Sequence, residues 1–274
     1  MPELPEVETI AADLRPHLVN RTIVRCELRF PPIVRYPEPE SFVDAISGAR
    51  IRAVKRRGKF ILMPLDSDRL FVVHLGMTGQ LRLVDPSTPA PVHTHAIFEL
   101  EDGRELRYRD PRRFGRLLVG TEAELLASGA LPRLGPEPID PAFGADDLYQ
   151  RLRRRRASLK AVLLDQSTIA GVGNIYADES LHRARLRPDR AAGGLSRASV
   201  SRLHESLRDA LQLAIRNRGS SVDTYRDAWG ETGLQQEELH VYGRGGEPCL
   251  NCGRPLSVIR IAGRSSVFCR RCQR

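Results

Sequence analysis

The chain has 274 residues, with 43 Lys plus Arg against 34 Asp plus Glu, so its formal net charge is +9 and its pI about 9.8. With 41% hydrophobic and 28% charged residues the composition is that of a globular protein, which excludes disordered and collagen-like chains. No apolar run approaches the ~18 residues of a membrane span, and acidic residues near the start argue against a signal peptide. We therefore expect a cytoplasmic protein.

Helical spacing of apolar residues predicts a helix over 5–19, and a second, short helix is predicted at 40–46. Around and after the second helix, short alternating or apolar runs predict the strands of an antiparallel β-sandwich or barrel at 22–30, 49–65, 69–75, 80–84, 95–101 and 105–119. Cys26 lies in the first run and is expected to be a buried thiol. Between 129 and 144, three Gly and four Pro indicate a domain boundary.

Long helical patterns return at 146–166 and 196–217, and a glycine-rich turn at 171–174 precedes a helix that extends to Arg183. The last 36 residues contain two C-x2-C pairs, and this spacing favours a tetrahedral structural zinc site over two disulfides or unrelated thiols. The four cysteines are Cys249, Cys252, Cys269 and Cys272. We predict an α+β chain with a β-sandwich domain at 1–131, a linker at 132–145, a helical domain at 146–238 and a β-hairpin zinc finger at 239–274.

The positive charge is typical of proteins that bind polyanions, most often nucleic acid or a membrane surface. With 8 Phe, 6 Tyr and 1 Trp, the chain has too few aromatic residues for the stacking platforms of sequence-tolerant single-strand binders, which favours a duplex. Lysine occurs only at Lys55, Lys59 and Lys160, and the other 40 basic residues are arginine. A retained lysine therefore indicates a position where a titratable amine is useful.

The N-terminus combines a candidate nucleophile with two carboxylates. If Met1 is removed, Pro2 presents a secondary amine with a pKa of about 8, which is partly neutral and nucleophilic at neutral pH. Attack on an aldehyde-like carbon would give an iminium. Glu3 and Glu6, three residues apart at a helix start, can face the same side and act as proton donor and acceptor. The alternative interpretation is a frayed, acidic helix cap.

Several motifs occur together and in order: PELPEVET at 2–9, the lysine of 56–59, the run HLGM at 74–77, the run DPRRFG at 110–115, the turn at 171–176 and the cysteine ribbon. In this combination the chain resembles the formamidopyrimidine-DNA glycosylase family over residues 2–274. The resemblance implies a bifunctional base-excision repair enzyme that removes oxidised purines, especially 8-oxoguanine, from duplex DNA and nicks the strand by β- and δ-elimination. It also implies a β-sandwich, a helix–two-turn–helix domain with a lesion-recognition loop, and a zinc finger with one structural zinc ion as the cofactor.

By this resemblance Pro2 is the Schiff-base nucleophile and Glu3 the acid that assists ring opening, with Glu6 in support. Lys59 matches the proton donor for β-elimination, and Arg264 matches the zinc-finger arginine of δ-elimination and phosphate binding. Taken alone, Lys59 reads as one more charge in a basic cluster and Arg264 as a solvated hairpin tip.

Chemistry at an anomeric carbon inside a duplex requires the nucleotide to be extruded, which leaves a void. The resemblance implies that Met77, Arg112 and Phe114 fill that void, and their residue types fit a wedge and a hydrogen-bonding fork. Core packing is the alternative for Met77 and Phe114. The implied phosphate and DNA contacts are His74, His93, Arg112, Arg156, Lys160 and Asn174.

The candidate lesion contacts are Ser220, Thr224 and Tyr225. At 234–236 the chain has Leu-Gln-Gln where relatives tend to have aromatic residues, so the lid over the lesion is open to question. Because a lesion and its duplex lack two-fold symmetry, we expect a monomer.

Two alternative functions remain open. The first is an endonuclease VIII-like glycosylase that prefers oxidised pyrimidines; Leu4 and the pair Arg112 and Phe114 argue against it. The second is a zinc-ribbon DNA-binding protein without catalysis. The intact set of Pro2, the two carboxylates and Lys59 argues against that function.

Overall fold

The structure is a computed structural model that describes residues 1–274. It divides into two compact units, Met1–Arg133 with Asn217–Gln236, and Leu134–Arg216 with Glu237–Arg274. The leading helix, the stacked strands, the helical region and the terminal hairpin are all present, which confirms the α+β class. Among the helices, none combines the length and apolar character that crossing a membrane requires.

The first unit contains three helices and nine strands. The helices are α1 (Leu4–Leu18), α2 (Pro39–Ile46) and α3 (Glu122–Ala127). The strands are β1 (Ile23–Leu28), β2 (Val34–Tyr36), β3 (Lys55–Arg57), β4 (Phe60–Pro64), β5 (Leu70–His74), β6 (Gln80–Val84), β7 (Thr94–Leu100), β8 (Glu105–Arg109) and β9 (Arg116–Gly120). They form a four-stranded sheet, in the order β1-β7-β8-β6, and a five-stranded sheet, in the order β2-β9-β5-β4-β3. All pairs are antiparallel except β2 with β9.

One hydrophobic core unites these elements. The apolar stripe of α1 is fully buried in it, because helical spacing places these residues on one face: Val7, Ile10, Ala11, Leu14 and Leu18. Phe71, on β5 of the five-stranded sheet, packs against α2 and the four-stranded sheet, with ring centroids 5.9 Å from Phe42 and 5.0 Å from Phe98. Cys26 is buried as predicted, and burial raises the pKa of its thiol to about 12.

Two of the predicted strand runs each contain a turn. The run 49–65 is divided by Gly58 and Lys59, which join β3 to β4 with Gly58 at φ +57. The run 105–119 is divided by residues 110–115, where Pro111 has no N–H to donate to a strand ladder. Both turns carry residues of the candidate site at the ends of strands.

The second unit contains α4 (Ala145–Leu152), α5 (Leu159–Leu164), α6 (Asn174–Arg183), α7 (Arg197–Arg216) and the hairpin of β10 (Ser257–Ile261) and β11 (Arg264–Phe268). The helical pattern predicted over 146–166 is therefore divided into two helices, α4 and α5. Between α4 and α5 the backbone pairs with a distant segment instead: the Arg155 carbonyl accepts from the Gly193 N–H at 2.9 Å, and the Ala157 carbonyl accepts from the Ala192 N–H at 3.0 Å.

The segment Asn217–Gln236 belongs to the first unit, whereas the sequence grouped it with the helical domain. Long-range polar contacts place it there. Arg218 Nη2 lies 2.7 Å from Asp13 Oδ2 on α1 and 2.5 Å from Asp227 Oδ2 in its own segment. These ion pairs are not visible in sequence periodicity, because Asp13 and Arg218 are 205 positions apart.

Candidate active site

The start of α1 holds the two candidate carboxylates in the interior. Glu3 and Glu6 are each only 1% exposed, and Pro2 is also buried. The Glu6 carboxylate accepts two backbone hydrogen bonds, one from the Glu3 N–H at 2.8 Å and one from the Ser220 N–H at 2.8 Å. Backbone donors are a favourable environment for a buried carboxylate. The acidic pair is therefore an ordered structure, not a frayed cap.

Gly219 makes this arrangement possible, and sequence reasoning missed its role. Its φ of +80° is in the left-handed region that favours glycine. A Cβ atom at this position would lie 2.9 Å from Cγ of Glu6 and 3.1 Å from Cε1 of Tyr225. The only sequence signal was its place in the run Gly-Ser-Ser at 219–221.

The three candidate lesion contacts differ in their surroundings. The Ser220 side chain is buried, and its hydroxyl has no hydrogen-bond partner within the protein. Thr224 is exposed, while its carbonyl accepts from Nε2 of Gln80 at 3.0 Å. Tyr225 is buried, and burial, followed by the negative charge of Glu6, raises the pKa of its phenol. Tyr225 thus stays protonated beside the carboxylate.

Lys59 and His74 lie on the second sheet of the first unit. Lys59 is 7% exposed in the turn between β3 and β4, and α1 packs against β3. Burial, then the positive charges of Arg116 and Lys59, lowers the pKa of His74 to about 4. Nδ1 of His74 accepts from the Gly76 N–H at 3.3 Å. His74 is therefore neutral, with its proton on Nε2, and can donate a hydrogen bond without adding charge.

The candidate void-filling residues occupy two adjacent loops. Met77 is partly buried in the loop after β5, and Phe114 is 51% exposed in the loop before β9. The Arg112 guanidinium lies 4.9 Å from the centroid of the Phe114 ring. The exposure of Phe114 disfavours core packing for this residue, whereas Met77 is partly buried. Sequence reasoning assigned no role to Asp110, which is fully buried and accepts from the Gly115 N–H at 2.8 Å.

Among the candidate DNA contacts, His93 and Arg156 are exposed, with His93 at φ +70. Asn174 is the first residue of α6, where backbone N–H groups form an anion site, and its Oδ1 is buried without a hydrogen-bond partner.

The position of Lys160 in the structure disagrees with the phosphate contact predicted for it. Its side chain is 0% exposed, and its Nζ lies 2.8 Å from Asp178 Oδ1 and donates to the Ser265 carbonyl at 2.7 Å. The amine is bonded to Asp178 and to the Ser265 carbonyl inside the second unit, so it does not face a phosphate.

The four cysteines form a compact metal site. Their sulfur atoms all lie within 4.8 Å of one another, with Cys252 and Cys269 at 3.5 Å and Cys249 and Cys272 at 3.9 Å. Tetrahedral thiolates around Zn²⁺ at the usual bond length are ~3.8 Å apart, so the set fits one structural zinc ion. Burial opposes ionisation of Cys269, but N–H donors of Cys272 and Arg271 lower its thiol pKa.

Two adjacent acids on α6 hold the zinc finger, and sequence reasoning missed both. Asp178 accepts from the Ser266 hydroxyl at 2.7 Å and from the Val267 N–H at 3.0 Å, both on β11. Glu179 accepts from three consecutive N–H groups, those of 240–242. Arg264 is exposed at the tip of this hairpin, after a turn in which Ala262 and Gly263 both have positive φ.

Three family models match the chain. The formamidopyrimidine-DNA glycosylase N-terminal domain matches residues 1–117, the H2TH domain of the same enzyme matches residues 134–226, and the zinc finger found in FPG and IleRS matches residues 246–274. The second match confirms the helix–two-turn–helix expectation.

Curated relatives and solved structures agree with these matches. Formamidopyrimidine-DNA glycosylases of Desulfitobacterium hafniense and Heliobacterium modesticaldum are 44% and 46% identical, with each chain covered fully. MutM (FPG) of Thermus thermophilus is 43% identical with a TM-score of 0.90, covering 99% of this chain and 98% of its own. A Lactococcus lactis FPG mutant in complex with DNA containing Fapy-dG is 35% identical with a TM-score of 0.92 and full coverage of both chains.

Proposed function

The chain belongs to the formamidopyrimidine-DNA glycosylase family and is a base-excision repair DNA glycosylase, and on that premise we propose how it excises damaged bases. Its substrates are oxidised purines in duplex DNA, namely 8-oxoguanine and formamidopyrimidines, and it nicks the strand at the resulting site. The observation that carries this proposal is the start of α1. There Pro2 precedes two buried carboxylates, and backbone donors hold the second of them.

Excision begins with the amine of Pro2 once Met1 has been removed. The nitrogen lone pair forms a bond to C1′ of the sugar, the electron pair of the glycosidic bond leaves with the base, and the base takes up the proton that the Pro2 nitrogen loses. Glu3 donates a proton to O4′, which opens the ring and leaves an iminium between Pro2 and C1′. Glu6 keeps the helix start and the Ser220 segment in register while this happens.

Strand cleavage follows from the iminium. Loss of a proton from C2′ expels the 3′ phosphate by β-elimination, and Lys59 is the proton donor to the leaving group. A δ-elimination then expels the 5′ phosphate, and Arg264 binds phosphate in this step. Cys249, Cys252, Cys269 and Cys272 would hold one zinc ion with four thiolates, and its contribution would be structural: to hold the hairpin that carries Arg264.

Base extrusion and DNA binding use further residues of the chain. Met77, Arg112 and Phe114 fill the void, and their exposed or half-buried loop positions support this role. The lesion contacts are Ser220, Thr224 and Tyr225. The remaining DNA contacts are His74, His93, Arg156 and Asn174. The enzyme acts as a monomer in the cytoplasm, associated with the nucleoid through DNA.

The test is borohydride trapping on a duplex with 8-oxoguanine opposite cytosine, followed by peptide mass mapping. We expect a reduced adduct on Pro2. Glu3→Gln should lower the excision rate and retain duplex binding, because it removes a proton donor without removing a positive charge.

A duplex of equal length with dihydrothymine is the matched control. Preferential trapping on dihydrothymine would assign the chain to pyrimidine lesions. An absence of adduct on both duplexes, with Met1 confirmed removed and duplex binding intact, would contradict the imine mechanism.

A further inference from the structure

The second unit contains an arginine-lined concavity that the proposed chemistry does not use. Its volume is about 1050 Å³, near the upper end of ligand pockets. We define the arginine concavity by the six arginines that line it: Arg183, Arg185, Arg190, Arg202, Arg271 and Arg274. No acidic side chain is among its lining residues.

None of the six arginines forms an ion pair with a carboxylate within 4.0 Å. Elsewhere in the same unit arginines do pair, as Arg187 with Asp189 at 2.7 Å and Arg244 with Glu247 at 2.8 Å. Nε of Arg183 is in addition buried without a hydrogen-bond partner. Six like charges around one space favour the binding of an anion.

Backbone and side-chain hydrogen bonds build the floor of the concavity. The Arg274 N–H donates to the Arg185 carbonyl at 3.1 Å, and Nε2 of Gln273 donates to the Leu186 carbonyl at 2.7 Å. Oε1 of Gln273 in turn accepts from the Cys269 N–H at 2.8 Å. These bonds connect the backbone of Arg185, Leu186 and Arg274 to the segment that carries Cys269.

Two of the proposed DNA contacts of the same unit, Asn174 and Arg264, lie away from the concavity, whereas Arg156 precedes a segment whose Leu159 N–H donates to the Arg190 carbonyl at 2.7 Å. Asn174 begins α6 and Arg183 ends it, so these residues are roughly 13 Å apart along the helix. Arg264 lies at the tip of the zinc hairpin, and Arg271 lies beyond the opposite end of β11, roughly 15 Å away at the rise of a strand. Asn174 and Arg264 are therefore at the ends of α6 and β11 opposite to the ends at which the concavity lies.

The shape and the apolar part of the lining favour a peptide over a second duplex. A duplex presents phosphates on a convex surface, whereas this site is concave and encloses a volume of ligand-pocket size. Leu186 and Leu250 also line it; Leu186 is buried, whereas Leu250 is 62% exposed. A phosphate backbone offers no apolar partner for Leu250, but an acidic peptide with one apolar side chain offers both kinds of contact.

We propose that the arginine concavity binds an acidic peptide segment of a partner protein, through guanidinium–carboxylate pairs around a central apolar side chain. The site is occupied at the same time as DNA. Binding weakens with salt, because the pairs lie at a surface.

The probe is a fluorescein-labelled peptide, Asp-Glu-Asp-Leu-Glu-Asp-Glu, and its uncharged counterpart Asn-Gln-Asn-Leu-Gln-Asn-Gln. Fluorescence anisotropy is measured with the zinc-loaded full chain, free and saturated with duplex. We expect binding of the acidic peptide alone, with equal affinity in both forms. Arg202→Glu should weaken it about tenfold, because it removes one charged pair and adds repulsion.

Arg208→Glu is the matched control, since it makes the same charge change on another face of α7 and does not line the concavity. It should change the affinity less than twofold. Zinc content, thermal unfolding and Pro2 trapping should be the same in both variants, which separates this proposal from the proposed function. Equal weakening by both variants, or displacement of the peptide by one equivalent of duplex, would overturn the proposal. If the unmodified chain binds a second duplex and the Arg202→Glu variant does not, the concavity binds nucleic acid and the proposal is overturned.

Discussion

The hydroxyl of Thr78 donates a hydrogen bond of 2.5 Å to Oδ1 of the buried Asp110, and it also accepts from the Arg112 N–H at 3.2 Å. These bonds join the loop that carries Met77 to the loop that carries Phe114. The loops also approach closely at Gly76, where a Cβ atom would lie 2.5 Å from the Phe114 carbonyl carbon. The proposed void-filling residues are therefore held as one rigid group.

Thr78→Val should separate the two loops, because valine keeps the shape of threonine but donates no hydrogen bond. Loss of a hydrogen bond to a charged group should lower the unfolding free energy by about 1.5–3 kcal/mol. Extrusion of the damaged base, followed by 2-aminopurine fluorescence beside the lesion, should be slower. Thr88→Val, at an exposed turn, is the control. If Thr78→Val and Thr88→Val extrude the base at the same rate, the hydrogen bond of Thr78 does not position the void-filling residues.

His74 predicts a loss of stability in mild acid. Its folded pKa of about 4 is lower than the usual 6.5, so between these values the unfolded chain binds a proton and the folded chain does not. Stability is full above pH 6.5 and falls as the pH drops toward 4, by up to roughly 3 kcal/mol. Denaturant unfolding at several pH values should show this fall, and His74→Gln should reduce it. His93→Gln, at an exposed position, should leave the fall unchanged.

Gly219→Ala should disturb the Glu6 carboxylate. An alanine there adds left-handed strain of about 1–2 kcal/mol and a methyl group against Cγ of Glu6. Gly48→Ala is a close control, since Gly48 has φ +81 and a Cβ atom there would meet no other atom within 4 Å. We expect Gly219→Ala to lower the free energy of unfolding at least as much as Gly48→Ala does. Only Gly219→Ala should slow borohydride trapping. Equal trapping rates would show that Glu6 tolerates displacement.

Substitutions of Lys160 should affect stability, whereas substitutions of Arg156 should affect DNA binding. Lys160→Met leaves Asp178 buried without its cation and should cost about 3–5 kcal/mol of stability. It should not change the slope of log binding constant against log salt. Arg156→Gln, at an exposed position, should lower the magnitude of that slope by about 0.9 and leave stability within about 0.5 kcal/mol. A reduced slope for Lys160→Met would restore its predicted phosphate contact.

Local patterns in the sequence predicted what is locally determined. Helix α1 follows from apolar spacing, and the zinc site follows from the spacing of its cysteines. The burial of Lys160 was missed because its partner, Asp178, lies on a different helix. The packing of 217–236 into the first unit was missed for the same reason, since it depends on contacts with residues near position 10 of the chain. Neither kind of contact leaves a periodic signal.

Helix α6 carries both a proposed DNA contact and the residues that hold the zinc finger. Asn174 is its first residue, and Asp178 and Glu179, one turn later, grip β11 and the backbone at 240–242. If zinc binding orders this helix and so strengthens DNA binding, DNA binding strengthens zinc binding by the same free energy. Coupling between two binding equilibria is reciprocal. A duplex held at Asn174 should therefore raise the affinity of the chain for zinc, measured at equilibrium against a competing chelator. The zinc affinity then reports whether the enzyme is free or bound to DNA.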